Sequence, residues 1–431
     1  MSTARRHPCL SRQRQIGVAA MLILFVIAVV AISFLVSSLK SSSSQTERDK
    51  ITAAALAQAK AALIGFAAGV DLRSGAARPG DLPCPDTNDD GQAESSCNAQ
   101  ATRLGRLPWK TLGLPDLRDG NGERLWYAVS NNFKNNTRTG SLNSDTIGTI
   151  TVRDASGVIV NDGVQTTGAI AVVISPGASI TRQDGLVQTR DAAGSLNPKN
   201  YLDILVGTED NASFIDSNTD GFINGEVLDV GRDTIVNDNL IAIAYGDLMP
   251  LLEKRVAGEA LSCLTDYAAA NQQRYPWAAE LNTSLPPDYR DYRAAQFGRL
   301  PDPPFTRTQS DSGIMGAAWT IKCNLSPVSG WWVNWKESVF YGMADACKPT
   351  AASGCSGTNY LTVNPPSAVS NKQVVVIVAG RQLTGVAGGQ LRNSNNDKGT
   401  IANYLEDGNL TGLPFQLGKV TPTFNDSVGY R

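Results

Sequence analysis

From Gln15 to Leu39 the chain carries no charged residue, and as an α-helix this run would extend roughly 37 Å, enough to cross a hydrocarbon core of about 30 Å. A secretory signal has a shorter apolar core and a small-x-small exit site. This run meets only Lys40 and a serine tract, so the pattern predicts a retained span. Beyond it, "TERDKITAAALAQAKAALIGFAAG" opens with Thr46 and Asp49 in capping-box order. Ile51, Ala55, Ala59, Leu63 and Phe66 then recur every three or four residues, which predicts an amphipathic helix. A second such helix is predicted in "YGDLMPLLEKRVAGEALSCLTDYAAANQQ". "TIGTITV" and "GVIVN" flank Asp154-Ala155-Ser156-Gly157 as a hairpin. "GAIAVVIS" and "KQVVVIVAG" are near-continuous apolar runs of strand length, suited to central strands covered on both faces. The predicted class is α+β, a helix laid over a mainly antiparallel sheet.

The pattern recurs. Ala59, Leu63, Phe66, Ala67 and Ala68 match Ala260, Leu264, Tyr267, Ala268 and Ala269 at one offset, and "GRLP" occurs at 105–108 and again at 298–301. "ERLWYAV" resembles "ESVFYGM", "VVISPG" resembles "VVIVAG", "NYLD" matches "NYLE", and Asn237-Asp238 matches Asn425-Asp426. Their common order, with the offset changing in Gly-, Asn- and Ser-rich stretches, predicts a tandem duplication with loop insertions. The expected organisation is a basic leader at 1–17, a stem helix at 18–39, and two helix-on-sheet repeats at 40–240 and 241–431.

Charge sets the compartment. Arg5, Arg6, Arg12 and Arg14 precede the span and only Lys40 closely follows it, so the N-terminus is expected in the cytoplasm and the rest exported. Cys9 then stays inside, while Cys84, Cys97, Cys263, Cys323, Cys347 and Cys355 reach an oxidising space. Six cysteines admit 15 pairings. Cys84 with Cys97 and Cys347 with Cys355 are close enough to close short loops, which would leave Cys263 with Cys323. A net charge of −2 gives no electrostatic case for nucleic acid.

A short basic segment ending in Gly17, an immediate apolar span and a helix-on-sheet head together resemble type IV pilins and type II secretion pseudopilins. The head segments "RPGDLPCPDTNDDGQAESSC", "RLGRLPWKTLGLPDLRDGNGERLWYAVSNNF", "NWKESVFYGMAD" and "IANYLED" resemble those of large prepilin-like proteins of Gram-negative bacteria. The resemblance implies cleavage by prepilin peptidase between Gly17 and Val18 and assembly with other pilin or pseudopilin subunits through the stem. It also implies a single pass of the bacterial inner membrane, with the head in the periplasm or, after assembly, at the cell surface. Two positions depart from the family pattern: Val18 stands where Phe is usual, and Leu22 where a Glu usually neutralises a neighbouring subunit's N-terminal amine. A subunit lacking that acid is implied to be minor or terminal, because nothing sits above it at the tip.

Two loops carry calcium-type spacing. "DTNDDG" places Asp86, Asn88 and Asp90 at alternate positions before Gly91, with Glu94 as the nearest further acid. "DSNTDGFINGEV" sets Asp216, Asn218 and Asp220 likewise, adds the Phe222 carbonyl, and has Glu226 or Asp229 to supply the missing carboxylate. The same residues also favour metal-free Asx turns, and the spacing leaves both readings open. Pseudopilin heads supply a family precedent for calcium.

"GWWVNWKESVFYGM" sets Trp331, Trp335 and Val339 on one helical stripe, which suits either a stacking surface or, by the burial preference of tryptophan, the core. The sole histidine, His7, lies in the leader, so no exported triad or His-ligated zinc is expected. The expected function is a non-catalytic filament subunit. The alternatives are an anchored binding protein or adhesin that never polymerises and, more weakly, a carboxylate-dependent hydrolase.

Overall fold

The computed structural model describes residues 44–72, 78–190, 196–283, 287–352, 354–364, 368–385, 389–412 and 414–431. The leader, the expected span and the Gly17–Val18 bond lie outside the described residues.

The first described element, α1 (Ser44–Gly69), is by length and composition long and apolar enough to cross a membrane. Its buried face is Thr52, Ala55, Leu56, Ala59, Leu63 and Ala67, where three alanines let the helix lie close on the core. The expected stripe is displaced at its start. Ile51 is exposed, and Thr52 turns inward to accept the Gly120 N–H on its hydroxyl at 3.0 Å.

Of the strands that follow, seven build the two larger sheets of the first half: β1 (Leu104–Arg106), β2 (Trp126–Val129), β3 (Val152–Asp154), β4 (Ile159–Asn161), β5 (Ala171–Ser175), β6 (Phe222–Asn224) and β7 (Asn239–Ile243). Four form an antiparallel sheet in the order β1-β2-β5-β7. The hairpin β3–β4 forms where expected, and β3 pairs in parallel with β6. Alternation along the sheet divides its side chains between two cores. Tyr127, Val129, Ala171, Val173 and Ile243 pack in the core that holds the helices, while Trp126, Ala128, Val172, Ile174 and Leu240 meet Tyr201, Phe214 and Phe222 on the other side. Both faces of β5 are therefore dry, which is why its sequence is continuously apolar.

α2 (Tyr245–Ala270) opens the second half with its N-cap N–H satisfied, Ala244 donating to Asp247 Oδ2 at 2.8 Å. Seven further strands follow: β8 (Phe297–Arg299), β9 (Val339–Met343), β10 (Leu361–Asn364), β11 (Val369–Lys372), β12 (Val374–Val378), β13 (Phe415–Gln416) and β14 (Ser427–Tyr430). The antiparallel sheet runs β8-β9-β12-β14, and the small sheet β11-β10-β13 again contains one parallel pair, β10 with β13. This is the order of the two larger sheets of the first half, which adds two short pairs of its own, Ile204–Leu205 with Glu209–Asp210 and Val227–Leu228 with Thr234–Val236. α2 packs along β12 and β14.

The repeated "GRLP" has a local reason. At Gly105 and Gly298 an added Cβ would strike the carbonyls of Asp86 and Ala279, because each glycine lets a crossing segment bridge to the edge strand. The arginines beside them sit over aromatic rings, Arg106 at 4.3 Å from Trp126 and 4.1 Å from Tyr201, Arg299 at 4.9 Å from Tyr404.

The two halves share one continuous core that contains side chains of both helices. Lys60 on α1 pairs with Asp247 on α2 at 2.8 Å, and Trp331 Nε1 donates to the Leu72 carbonyl at 3.1 Å. The expected division at 240/241 falls inside β7. Trp331, Trp332 and Trp335 are all buried at this seam, so the stripe is core. The disulfides are Cys84–Cys97, Cys263–Cys323 and Cys347–Cys355.

Candidate functional site

The 86 loop is a closed turn. Asp86 Oδ1 accepts the N–H groups of Asn88 at 3.1 Å and Asp89 at 2.6 Å, and Oδ2 accepts that of Gly91 at 2.7 Å. Asn88 and Asp90 each accept a backbone N–H two residues on, and Glu94 accepts the Thr87 hydroxyl at 2.8 Å. Burial raises the Asp86 pKa while these three N–H groups oppose the shift.

In the 216 loop the carboxylates diverge. Asp216 turns away from the loop to Arg103 at 3.3 Å, the Asn131 N–H at 3.1 Å and the Thr149 hydroxyl. Asn218 accepts the Asp220 N–H at 3.2 Å, and Asp220 is exposed. Phe222 is buried in β6. Glu226 accepts from Thr234 at 3.1 Å, and Asp229 from the Asp233 N–H at 2.8 Å. Among the described residues no group of three or more His, Cys, Asp or Glu stands where it could hold a metal ion.

The Arg103–Asp216 pair is almost fully buried, so Asp216→Ala strands a guanidinium and is expected to cost about 3 kcal/mol. The check is thermal unfolding in calcium-free buffer. A loss that appears only when calcium is present would instead make Asp216 a metal ligand.

Two clusters are not apparent from calcium spacing or cysteines. In the first half the Asp203 N–H donates to Asp238 Oδ2 at 2.8 Å, the Asn237 N–H to Asp203 Oδ2 at 2.7 Å, and Asn211 Nδ2 to Asp238 at 2.9 Å. In the second half the Glu406 N–H donates to Asp426 Oδ2 at 3.1 Å, the Asn425 N–H to Glu406 Oε2 at 2.9 Å, and Asn409 Nδ2 to Asp426 at 2.9 Å. Burial, reinforced by the partner carboxylate, pushes Asp238 and Asp426 well up; burial also lifts Asp203 to about 6 and raises Glu406. Each pair fastens a long loop to the start of the last sheet strand. The matched "NYLD"/"NYLE" and "ND" are its only trace in sequence.

A cleft of about 810 Å³ opens where the halves meet. Its floor is the start of α2, with Tyr245, Gly246, Pro250 and Glu253. Asn161, Thr166 and Thr167 line one wall, and Arg381–Gly385 with Val420–Pro422 line the other. The Arg381 guanidinium lies 4.5 Å over the Tyr245 ring, and Nη1 donates to the Thr166 carbonyl at 2.7 Å. Tyr245 Oη is 2.7 Å from the Ser144 carbonyl and 3.2 Å from Glu253 Oε1. A phenol has one proton to give. It faces two acceptors, and burial pushes the Glu253 pKa up to about 8 although the Tyr245 hydroxyl opposes the shift.

No protein-family model, curated protein or solved structure matches the chain.

Proposed function

We propose that the chain is a non-catalytic, prepilin-like minor subunit of a type IV pilus or type II secretion filament. In this reading it is held in the bacterial inner membrane by one span, with the N-terminus in the cytoplasm and the head in the periplasm. The observation that carries it is the order at the N-terminus. Basic residues and Gly17 precede an uncharged run to Leu39, which leads into α1; the first two turns of α1 are largely exposed before the helix settles into the head. Prepilin peptidase would cut between Gly17 and Val18, and the stem from Val18 to Leu39 would then pack against neighbouring stems. Leu22 offers no carboxylate to a neighbour's amine, which favours a position at or near the tip.

A tandem duplication accounts for the doubled head. It explains in one step the shared strand order, the two "GRLP" crossings and the two carboxyl pairs. The non-catalytic part of the reading rests on chemistry. The six cysteines beyond the span are in disulfides, the carboxyl pairs are sealed from solvent, and Glu253 is the one carboxyl lining the cleft at the junction. The test is the mature N-terminus, which is Val18 if the stem is processed.

A further inference from the structure

The cleft between the halves is open, and among the described residues nothing neutralises its cation. Arg381 has no carboxylate within 4 Å there, although its ring contact and its bond to Thr166 hold it in place. The one carboxyl in the lining, Glu253, is 2 % exposed, and burial pushes its pKa up to about 8, above neutral. The wall is therefore positive at neutral pH. The rest of the lining is rich in short hydroxyl and amide side chains, among them Thr166, Thr167, Thr384, Thr421, Asn161 and Gln382. Between them stand the apolar Val160, Pro250, Leu383, Val420 and Pro422, so the lining sets small donors and acceptors on a largely apolar surface. It suits a ligand that combines hydroxyls and one negative charge with an apolar ring face. The volume lies within the range of small-ligand sites.

We propose that this cleft binds an acidic sugar, a hexuronate unit of an oligosaccharide, with the sugar carboxylate on Arg381 and its hydroxyls on the threonine and amide walls. Arg381 suits a carboxylate because its planar fork can meet both oxygens. Protonated Glu253 keeps the floor free of a second negative charge. The groups around Glu253 are Tyr245 on its own helix, Ser427 on β14, Arg392 and Arg381 from the loops of the second half, and Asp145 from the first, which pairs with Arg392 at 3.0 Å. Arg392 is thus occupied by Asp145. Ionising Glu253 places an unpaired carboxylate beneath the ligand's own. The proposal goes beyond filament assembly and does not depend on how the stem is processed.

The test is titration calorimetry of the full-length protein in detergent, with digalacturonate as the probe and galactobiose, acetate and inorganic phosphate as separate arms. Digalacturonate should bind, the uncharged disaccharide at least tenfold more weakly, and acetate and phosphate at least tenfold more weakly. Arg381→Gln should weaken digalacturonate at least tenfold. Thr384→Trp, on an exposed loop at the mouth, should block binding without touching the core. Wild type should lose at least tenfold in affinity between pH 7 and pH 9, whereas Glu253→Gln should bind equally at both. Equal binding of the uncharged disaccharide, equal binding of acetate or phosphate, or an unchanged affinity in Arg381→Gln would each overturn the proposal.

Discussion

Raising the pH from 4.5 to 8 is expected to cost the protein about 4 kcal/mol at Glu253 alone, and Glu253→Gln is expected to abolish that part of the loss. The sign follows from which state holds the proton. Burial lifts the native Glu253 pKa to about 8, so below the ordinary value of 4.5 both states are protonated and the full stability is present. Above it the unfolded chain ionises while the native one stays neutral, and stability falls until the native group also ionises. Asp203, lifted to about 6 from 3.8, adds roughly 3 kcal/mol in the lower part of the same window. Asp238, Asp426 and Glu406 act in the same direction. The carboxylates shifted downwards, such as Asp116 beside Arg124 and Asp345 beside Lys348, change stability only at more acid pH. Thermal unfolding of wild type and Glu253→Gln at pH 5 and pH 9 is the check. A wild type as stable at pH 9 as at pH 5 would mean that Glu253 is already ionised in the native state.

The Cys263–Cys323 bridge is expected to contribute the next largest single effect. It ties the C-terminal third of α2 to the segment that leads to Trp331, and it spans 60 residues. Closing a loop of that length removes roughly 4 kcal/mol of chain entropy from the unfolded state, against about 2.5 kcal/mol for the eight-residue Cys347–Cys355 loop. Cys263→Ser with Cys323→Ser should therefore lower the unfolding temperature more than Cys347→Ser with Cys355→Ser. The reverse order would show that packing around the shorter bridge outweighs chain entropy.

Much of this architecture was legible in sequence because its signals are local. Period-four spacing marks α1 and α2, uninterrupted Val and Ile mark β5 and β12, and short cysteine spacings point to two of the three bridges. What spacing does not reveal is tertiary. Ile51 looks like the start of the buried stripe, but which side chain of a helix end turns inward depends on where the sheet begins, and there Thr52 meets Gly120. Asp216 looks like a loop ligand because its spacing is right; its partners Arg103 and Thr149 come from distant segments that spacing does not reveal. Asp203 and Asp238 look like ordinary surface acids, and only their repetition as Glu406 and Asp426 hints that they are structural. The cleft has no motif at all, since its walls come from the β3–β4 region, the start of α2 and two loops of the second half.

The central claim is that residues 18–39 are a processed filament stem. It is tested most directly by the intact mass and N-terminal sequence of the full-length protein recovered from membranes, with and without prepilin peptidase. A processed stem gives a chain beginning at Val18 when the peptidase is present and at the leader when it is absent. A chain that keeps Met1 or Ser2 in the presence of the peptidase would contradict it and leave a permanently anchored binding protein in its place.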